Sequence, residues 1–200
     1  RYAFTNQPVI ANWNLARFIE TLLPLINSDQ EQAFKMAENL IGEFDDLYQD
    51  AFHGIMKKKL GFITDEDNDK MKINSLLKLM HKNQSDYTNT FRYLINKKTP
   101  QDKLLNDPDF IIWENEWQKR IERNQSKEEA IKFMMQNNPI FIPRNHLVEE
   151  ALSDANDGNM EKFKKLLKVI KAPYHDHADQ FVYTKPAPTG DRVYKTFCGT

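Results

Sequence analysis

Histidine and carboxylate side chains recur at spacings that could bind a metal ion. Asp50 and His53 are three residues apart, which places an acid and an imidazole on one helix face, as in di-iron bundles. His146 and Glu149 show the reverse order, and His175-Asp-His177 brings two imidazoles together in an extended segment. A di-iron site needs a second pair in the same order, and a zinc site needs two further ligands. We therefore predict no metal site, and a metal-dependent helical enzyme stays a third alternative.

The segment TDEDNDKMKINSL resembles a calcium-binding loop, because Asp65, Asp67 and Asp69 stand at its first, third and fifth positions. Lys70 occupies the position where the loop needs glycine, and Leu76 the position where it needs a bidentate glutamate. Acidic side chains also stabilise the first turn of a helix, where the macrodipole is positive. A helix start explains these acids better than a calcium site.

The sequence contains none of the motifs that bind phosphate or activate a nucleophile. Neither G-x-x-x-x-G-K-[ST] nor G-x-G-x-x-G is present, and the 6 glycines offer little backbone for an anion-binding nest. No Ser or Cys stands in a recognisable nucleophile motif. Lys57, Lys58 and Lys59 are interpreted as charges in the last turn of a helix. We assign no catalytic, cofactor-binding or metal-binding residue to this chain.

The composition is that of a soluble globular protein, with 40% hydrophobic and 28% charged residues among 200. A net charge of −1 gives no field that would attract nucleic acid or an anionic membrane. The longest apolar run, about four residues, is far short of the roughly 18 that span a bilayer. One cysteine permits no internal disulfide and favours a reducing compartment.

Few glycines and abundant Leu, Met, Glu, Lys and Gln favour helix over strand. Apolar residues from Phe34 to Met56 recur with a period near 3.6, which predicts one long helix with Ser28 as N-cap and Gly61 after its end. Further helices are predicted over 64–82, from Pro108 with Asp107 as N-cap, from Ser126 with a capping box closed by Glu129, from Pro143 or Asn145 to Ala155, and over 160–170. The three tryptophans are spaced like core residues. The expected fold is an all-α, multi-helix layer with an irregular C-terminal arm over 173–200.

Several stretches, in order, resemble the selenoprotein O family, also called YdiU or UPF0061. Residues 1–17 resemble its segment GRYxxxNQPxIAxWNLxRL, residues 86–92 (DYTNTFR) are a second match, and residues 138–151 resemble NPxxxxRNxLxxxAI. Pro173-Tyr174 follows at the expected place, and Cys198 is third from the end, where some animal members carry selenocysteine. The residues that match family motifs, all of unknown role, are Asn6, Gln7, Pro8, Trp13, Asn14, Arg17, Asp86, Tyr87, Thr88, Asn89, Phe91, Arg92, Arg144 and Asn145.

The resemblance implies a protein-kinase-like (pseudokinase) fold that transfers AMP from ATP to Ser, Thr or Tyr hydroxyls of other proteins. It implies ATP and Mg²⁺ or Mn²⁺ for the full-length enzyme, bound by residues upstream of this chain. On that basis, residues 1–12 end an activation-segment-like loop, 13–172 form the helical end of the C-lobe and its extension, and 173–200 form the tail. The upstream lobe and the protein substrates are the expected partners, and the fragment alone is expected to be inactive.

The same resemblance gives Cys198 a possible redox role, as a disulfide to an upstream cysteine or to a client protein that holds the tail over the active cleft. The expected compartment is the cytoplasm in a bacterium and the mitochondrion in a eukaryote. The second hypothesis, from a different functional class, is a stand-alone helical interaction module without catalysis.

Overall fold

The computed structural model describes residues 6–98, 102–176 and 181–187. Within those ranges the chain is helical and contains no strand, which confirms the predicted all-α class. The chain divides into two compact units, Arg1–Ile55 and Met56–Thr200. No described helix is long and apolar enough to cross a bilayer. The helices are α1 (Gln7–Ile26), α2 (Gln30–Gly42), α3 (Phe44–Lys59), α4 (Asp69–Asn83), α5 (Tyr87–Asn96), α6 (Pro108–Asn124), α7 (Lys127–Asn137), α8 (Asn145–Asn156) and α9 (Glu161–Ile170), with short 3₁₀ turns at Lys103–Asn106 and Phe181–Thr184.

In the first unit, α1 packs against α2, whose small residues Ala33 and Ala37 are buried one helical turn apart. Helix α1 already covers residues 7–12, which the sequence analysis assigned to a loop. None of its 20 residues is buried. Trp13, predicted to be a core residue, is 53% exposed, so that prediction is wrong for the described structure.

The predicted long helix is two helices, because α2 ends at Gly42 and α3 begins at Phe44. Glycine is the weakest helix former after proline, which explains the position of the interruption. Backbone hydrogen bonds from Glu43 to Asn39 and from Leu47 to Glu43 still cross the junction. Asp29, rather than Ser28, is the N-cap of α2, and its carboxylate accepts the amides of residues 31 and 32.

In the second unit, α4 packs on α6, α7 packs on α5 and α6, and α8 packs on α9, which follows it in sequence. Trp113 and Trp117 are 7% and 5% exposed, as predicted for core residues. Their indole N–H groups donate to the carbonyls of Lys72 and Leu60, both at 2.9 Å. The largest fully buried apolar side chains are those of Phe91, Phe110, Met56, Leu60, Ile73, Leu76, Leu104, Met134 and Val169.

Helix α4 begins at Asp69, five residues later than Thr64, so the predicted helix start is wrong. The acids before it form ion pairs with distant residues instead of filling a first turn. Asp65 pairs with Lys57, and Glu66 pairs with Arg123 at 2.6 Å. These contacts fix the segment 61–68 in a non-helical conformation.

The other local start signals are confirmed. Asp107 caps α6 with Pro108 in its first turn, and Ser126 and Glu129 form the predicted capping box of α7. Helix α8 begins at Asn145 and ends within one residue of the predicted end. Gly158 turns the chain towards α9 with a φ of +87°.

The described parts of the C-terminal arm contact the connection between α7 and α8 and the end of α9. The carbonyl of Pro173 accepts hydrogen bonds from the amides of Ile140 at 2.7 Å and Phe141 at 3.2 Å. Tyr183, in the second 3₁₀ turn, packs against the buried cluster of Ile140, Phe141 and Val169. Cys198 and His177 lie outside the described residues.

Candidate functional site

The DYTNTFR and RN motifs, far apart in sequence, meet in one ion pair. Arg144 Nη1 lies 2.6 Å from Asp86 Oδ2, and its Nη2 lies 3.1 Å from Asp86 Oδ1. The two side chains are 8% and 18% exposed, so the pair is largely shielded from water. Such a two-point contact fixes the relative orientation of both side chains.

Local structure explains why Asp86 and Arg144 are available at this place. Asp86 is the N-cap of α5 and accepts the amide of Asn89 at 2.8 Å, so its carboxylate is held at the helix start. Arg144 is the N-cap of α8 but makes no side-chain cap, and its guanidinium reaches Asp86 instead. The ion pair therefore joins the N-terminal ends of two helices.

Asn89 connects this pair to the C-terminal segment. Its Oδ1 accepts a hydrogen bond from Arg144 Nη2 at 3.4 Å, and its Nδ2 donates to the carbonyl of Thr184 at 3.1 Å. We call Asp86, Asn89, Arg144 and Thr184 the Asp86 cluster. It brings together α5, α8 and the segment 181–187.

Three other motif residues of α5 are packed around the cluster. Phe91 is 1% exposed and Thr88 is 9% exposed, which makes both of them core residues. Arg92 is half-buried, and this burial lowers the pKa of its guanidinium, while the charge of Asp176 opposes the change. Asn145, at the first position of α8, is exposed.

Lys59 adds a cation next to the cluster. Its Nζ lies 4.9 Å from the ring centroid of Phe91 and 5.6 Å from that of Tyr87. Burial lowers the pKa of this ammonium group below its ordinary value of 10.5. The aromatic faces stabilise the charged form electrostatically in place of a carboxylate.

The remaining motif residues lie in the first unit, at the start of α1. Asn6 occupies the N-cap position without a side-chain cap, and Gln7 and Pro8 form the first turn. The guanidinium carbon of Arg17 lies 5.9 Å from the Trp13 ring centroid, and Arg17 Nη2 pairs with Glu20 at 2.6 Å. Asn14 is exposed.

The histidines do not come together in the described part of the chain. His53 is buried, with Nδ1 2.7 Å from the carbonyl of Gln49, while Glu149 and His175 are exposed and His146 is half-buried. Among the described residues, no three His, Cys, Asp or Glu side chains are placed to hold a metal ion. His177 lies outside those residues, so the interpretation of His175-Asp-His177 as a surface segment without a metal site stays a prediction.

The sequence analysis missed a second buried ion pair. Arg120 is fully buried, and its Nε and Nη2 lie 2.9 Å and 3.0 Å from the two carboxylate oxygens of Asp69. Its guanidinium also lies over the ring of Phe62, 4.6 Å from the centroid. The available signal was an arginine one helical turn after Trp117, within the apolar stripe of α6.

The hydrogen bonds of the Asp86 cluster indicate a role in positioning α5, α8 and the C-terminal segment. In the Asp86 cluster both carboxylate oxygens accept hydrogen bonds from Arg144, so the acid is held as an ion-pair partner. The cluster can orient helix ends and the C-terminal segment.

Comparison with known proteins identifies the family to which these motifs belong. The family model described as "Protein adenylyltransferase SelO" matches residues 1–171. A protein nucleotidyltransferase YdiU of Bacillus mycoides is 44% identical over 202 residues, which cover 100% of this chain and 41% of that protein. The corresponding protein of Clostridium perfringens is 43% identical and that of Pelagibacter ubique 39% identical, with 41% and 42% of their lengths covered. The chain thus spans about two fifths of the length of the curated relatives it matches.

Proposed function

The chain belongs to the protein adenylyltransferase SelO family, and we propose that it is the C-terminal helical region of an enzyme that transfers AMP from ATP to protein hydroxyls. The family match over residues 1–171 and relatives called protein nucleotidyltransferases support this proposal. The acceptors proposed are Ser, Thr and Tyr side chains. The fold of the whole enzyme is proposed to be pseudokinase-like, with this chain at the end of its C-lobe.

We propose that ATP and its Mg²⁺ or Mn²⁺ bind to an upstream lobe of the same polypeptide. More than half of the length of each matched relative lies outside the matched region, which leaves room for such a lobe. The role of the present chain is to support that lobe, to offer a surface to protein substrates and to carry the C-terminal arm.

The observation that carries this proposal is the exposed apolar surface of α1. Val9, Trp13, Phe18 and Leu25 are 69%, 53%, 60% and 83% exposed. Large apolar side chains exposed along a helix with no buried residue favour a surface that another part of a protein covers. We assign that partner to the proposed upstream lobe, because more than half of the length of the matched relatives lies outside the region that this chain matches.

The test compares a full-length protein that contains this sequence with the 200-residue chain alone. With [α-³²P]ATP and Mg²⁺ or Mn²⁺, the full-length protein should label itself or a protein substrate, and the chain alone should not. In the full-length protein, Phe18→Glu should reduce soluble yield and labelling together, whereas the control Ile112→Glu, at an exposed position of α6, should reduce neither. Labelling or micromolar ATP binding by the chain alone would contradict the proposal that ATP binds to the upstream lobe.

The alternative, a stand-alone interaction module, predicts a different coding sequence upstream of Arg1. It requires a start codon directly upstream of Arg1 rather than several hundred codons that encode a nucleotide-binding lobe. Finding that start codon would exclude the proposed enzyme.

Cys198 enters this proposal as a redox candidate. Its thiol would form a disulfide with a cysteine upstream or in a client, while two electrons and two protons pass to an oxidant such as oxidised glutathione. Non-reducing peptide mapping of the oxidised full-length protein should show the bridge. A free Cys198 thiol under those conditions would exclude it.

A further inference from the structure

A pocket of about 230 Å³ lies between α5, α6 and α7, within the second unit. Its floor is apolar and consists mainly of Leu94, Trp117, Ile121, Ala130 and Met134. All five of these side chains are at most 7% exposed, so the floor belongs to the core of the unit. The pocket lies apart from the Asp86 cluster, and the proposed function assigns it no role.

Hydrogen bonds at the start of α7 hold this pocket open. Gln125, at the turn from α6 to α7, donates through Nε2 to the carbonyl of Gly61 and accepts the amide of Ile63 at 3.1 Å. Helix α7 therefore cannot move towards α5 at this end without breaking both bonds.

The end of α7 is fixed in the same way. Asn138 Nδ2 donates to the carbonyl of Lys59 at 2.8 Å and to that of Met134 at 2.9 Å. Between these two fixed ends, the small side chain of Ala130 leaves space above Trp117 and Ile121. A cavity whose walls are anchored in this way persists instead of collapsing.

The apolar side chains of the floor favour a ligand with an uncharged ring. Trp117 already donates its indole N–H to Leu60, so it presents only carbon to the pocket. An apolar protein cavity of about 150 Å³ is large enough for benzene, so this pocket accommodates a ring with one small substituent. A charged group placed against this floor would lose its hydration, and Lys97, the cation with Nζ 5.7 Å from the Trp117 ring centroid, is already paired with Glu114.

The mouth of the pocket is polar but close to electrically neutral. Lys97 is paired with Glu114, and Lys127 and Glu122 carry opposite charges. The Gln118 amide also lines the pocket and makes no hydrogen bond to another described residue. It can therefore donate to, or accept from, one polar substituent of a bound ring.

We propose that this pocket is a binding site for a small, uncharged aromatic molecule with one hydrogen-bonding substituent, of the phenol or indole class. The ring lies against Trp117 and Ala130, and the substituent reaches Gln118. A free small molecule is favoured over a peptide side chain, because three helices form the walls and their backbone groups bond within each helix. An extended peptide would find no strand edge to pair with.

The direct test is a ¹⁹F NMR titration of the full-length protein that contains this sequence with 4-fluorophenol, fluorobenzene and 4-fluorobenzoate. We expect 4-fluorophenol to bind about 3- to 10-fold more tightly than fluorobenzene, the gain of one neutral hydrogen bond. The benzoate should bind at least about 10-fold more weakly than the phenol, because its charge must be desolvated. N-acetyl-3-fluorotyrosinamide, which carries a fluorophenol ring on a peptide unit, should bind more weakly than 4-fluorophenol.

Two variants locate the binding to the pocket. Ala130→Leu fills the space and should abolish binding of 4-fluorophenol, whereas the matched control Ala51→Leu, at an exposed position of α3, should leave it unchanged. Gln118→Leu, at a half-exposed position that keeps the apolar floor, should make the affinities for 4-fluorophenol and fluorobenzene equal. This second variant tests the proposal even where Ala130→Leu is poorly folded by circular dichroism.

The proposal is overturned by any of four results. These are no binding of 4-fluorophenol, unchanged binding by a folded Ala130→Leu variant, an unchanged phenol preference in Gln118→Leu, and tighter binding of the tyrosinamide than of the phenol. None of these results bears on AMP transfer, so the two proposals fail independently.

Discussion

Arg144 and Asp86 are 58 residues apart in sequence, and the guanidinium of one donates two hydrogen bonds to the carboxylate of the other. Each residue begins a helix, α8 and α5 respectively. The pair therefore joins two sequence motifs that the family resemblance had identified separately. It also gives the arginine and the aspartate at these positions a structural role, because each is the other's ion-pair partner.

The first prediction concerns the strength of this pair. Arg144→Met leaves a shielded carboxylate without its partner and should lower the free energy of unfolding by about 2–3 kcal/mol, less than for a fully buried pair. Asp86→Asn should cost less, because asparagine also serves as an N-cap. Urea unfolding should show that the double variant is destabilised by less than the sum of the two single variants.

The control for this cycle is Arg17→Met. Arg17 pairs with Glu20 at the surface, with both side chains about half exposed, so its loss should cost at most about 1 kcal/mol. If the Arg144 and Asp86 effects instead add within about 0.5 kcal/mol, the two residues are not energetically coupled.

Local signals in the sequence predicted much of this fold. The capping box of Ser126 and Glu129 and the Asp107-Pro108 start lie within four residues of the helix ends they mark, so neighbouring side chains alone determine them. The apolar period from Phe34 to Met56 likewise predicted helix at almost every position. Only the interruption after Gly42 was missed.

Features that depend on contacts between residues far apart in sequence could not be predicted in this way. The acids of segment 64–69 satisfied the rule for a helix start, but their partners Lys57, Arg120 and Arg123 come from other helices. The same limit applies to the candidate site: the sequence identified Asp86 and Arg144 as motif residues without showing that they touch. It also gave Trp13 a core position, whereas this side chain is exposed on α1.

A second prediction concerns Gly61, whose φ of +79° lies in the left-handed region. A Cβ at this position would lie 2.9 Å from Met134 Cγ and 3.2 Å from the carbonyl oxygen of Ala130. Gly61→Ala should therefore lower the free energy of unfolding by about 2–4 kcal/mol, from backbone strain and overpacking together.

Two other glycines separate those contributions. Gly158 has a φ of +87° and open space around it, so Gly158→Ala should cost about 1–2 kcal/mol from strain alone. Gly54 lies inside α3 with no atom within 4 Å of an added Cβ, so Gly54→Ala should stabilise the protein by up to about 1 kcal/mol. Equal effects at Gly61 and Gly158 would show that Met134 moves aside without cost.

A third prediction concerns acid stability through Asp107. The hydrogen bond from Asn83 at 2.7 Å, followed by that from Lys82, holds the pKa of this carboxyl below its ordinary value of 3.8. The folded state thus favours the charged form, and the resulting stability is present above the ordinary pKa and lost as pH falls through the folded pKa. Asp107→Asn keeps the cap of α6 but removes the titration.

Urea midpoints of the wild type and Asp107→Asn should therefore differ at pH 6 and converge as the pH falls below about 4. Asp67→Asn, which removes an exposed acid from the same unit, is the control and should change the pH dependence little. Parallel curves for the wild type and Asp107→Asn down to pH 2 would mean that Asp107 contributes no pH-dependent stability.

The last prediction concerns Arg120, the fully buried arginine that joins α6 to the start of α4. Its Nη2 also donates to the carbonyl of Thr64 at 2.7 Å, so one side chain holds both Asp69 and the preceding loop. Arg120→Met would leave Asp69, 3% exposed, as an unpaired buried charge and should cost about 3–5 kcal/mol. Arg120→Lys should recover only part of this, because an ammonium group cannot bind both carboxylate oxygens in the planar geometry of a guanidinium.

Arg123→Met, one turn further along α6, removes an exposed partner of Glu66 and should cost at most about 1 kcal/mol in the same urea experiment. Similar losses at positions 120 and 123 would show that burial adds nothing to the Arg120 pair, and that the packing of α4 against α6, rather than this ion pair, holds segment 61–68 in place.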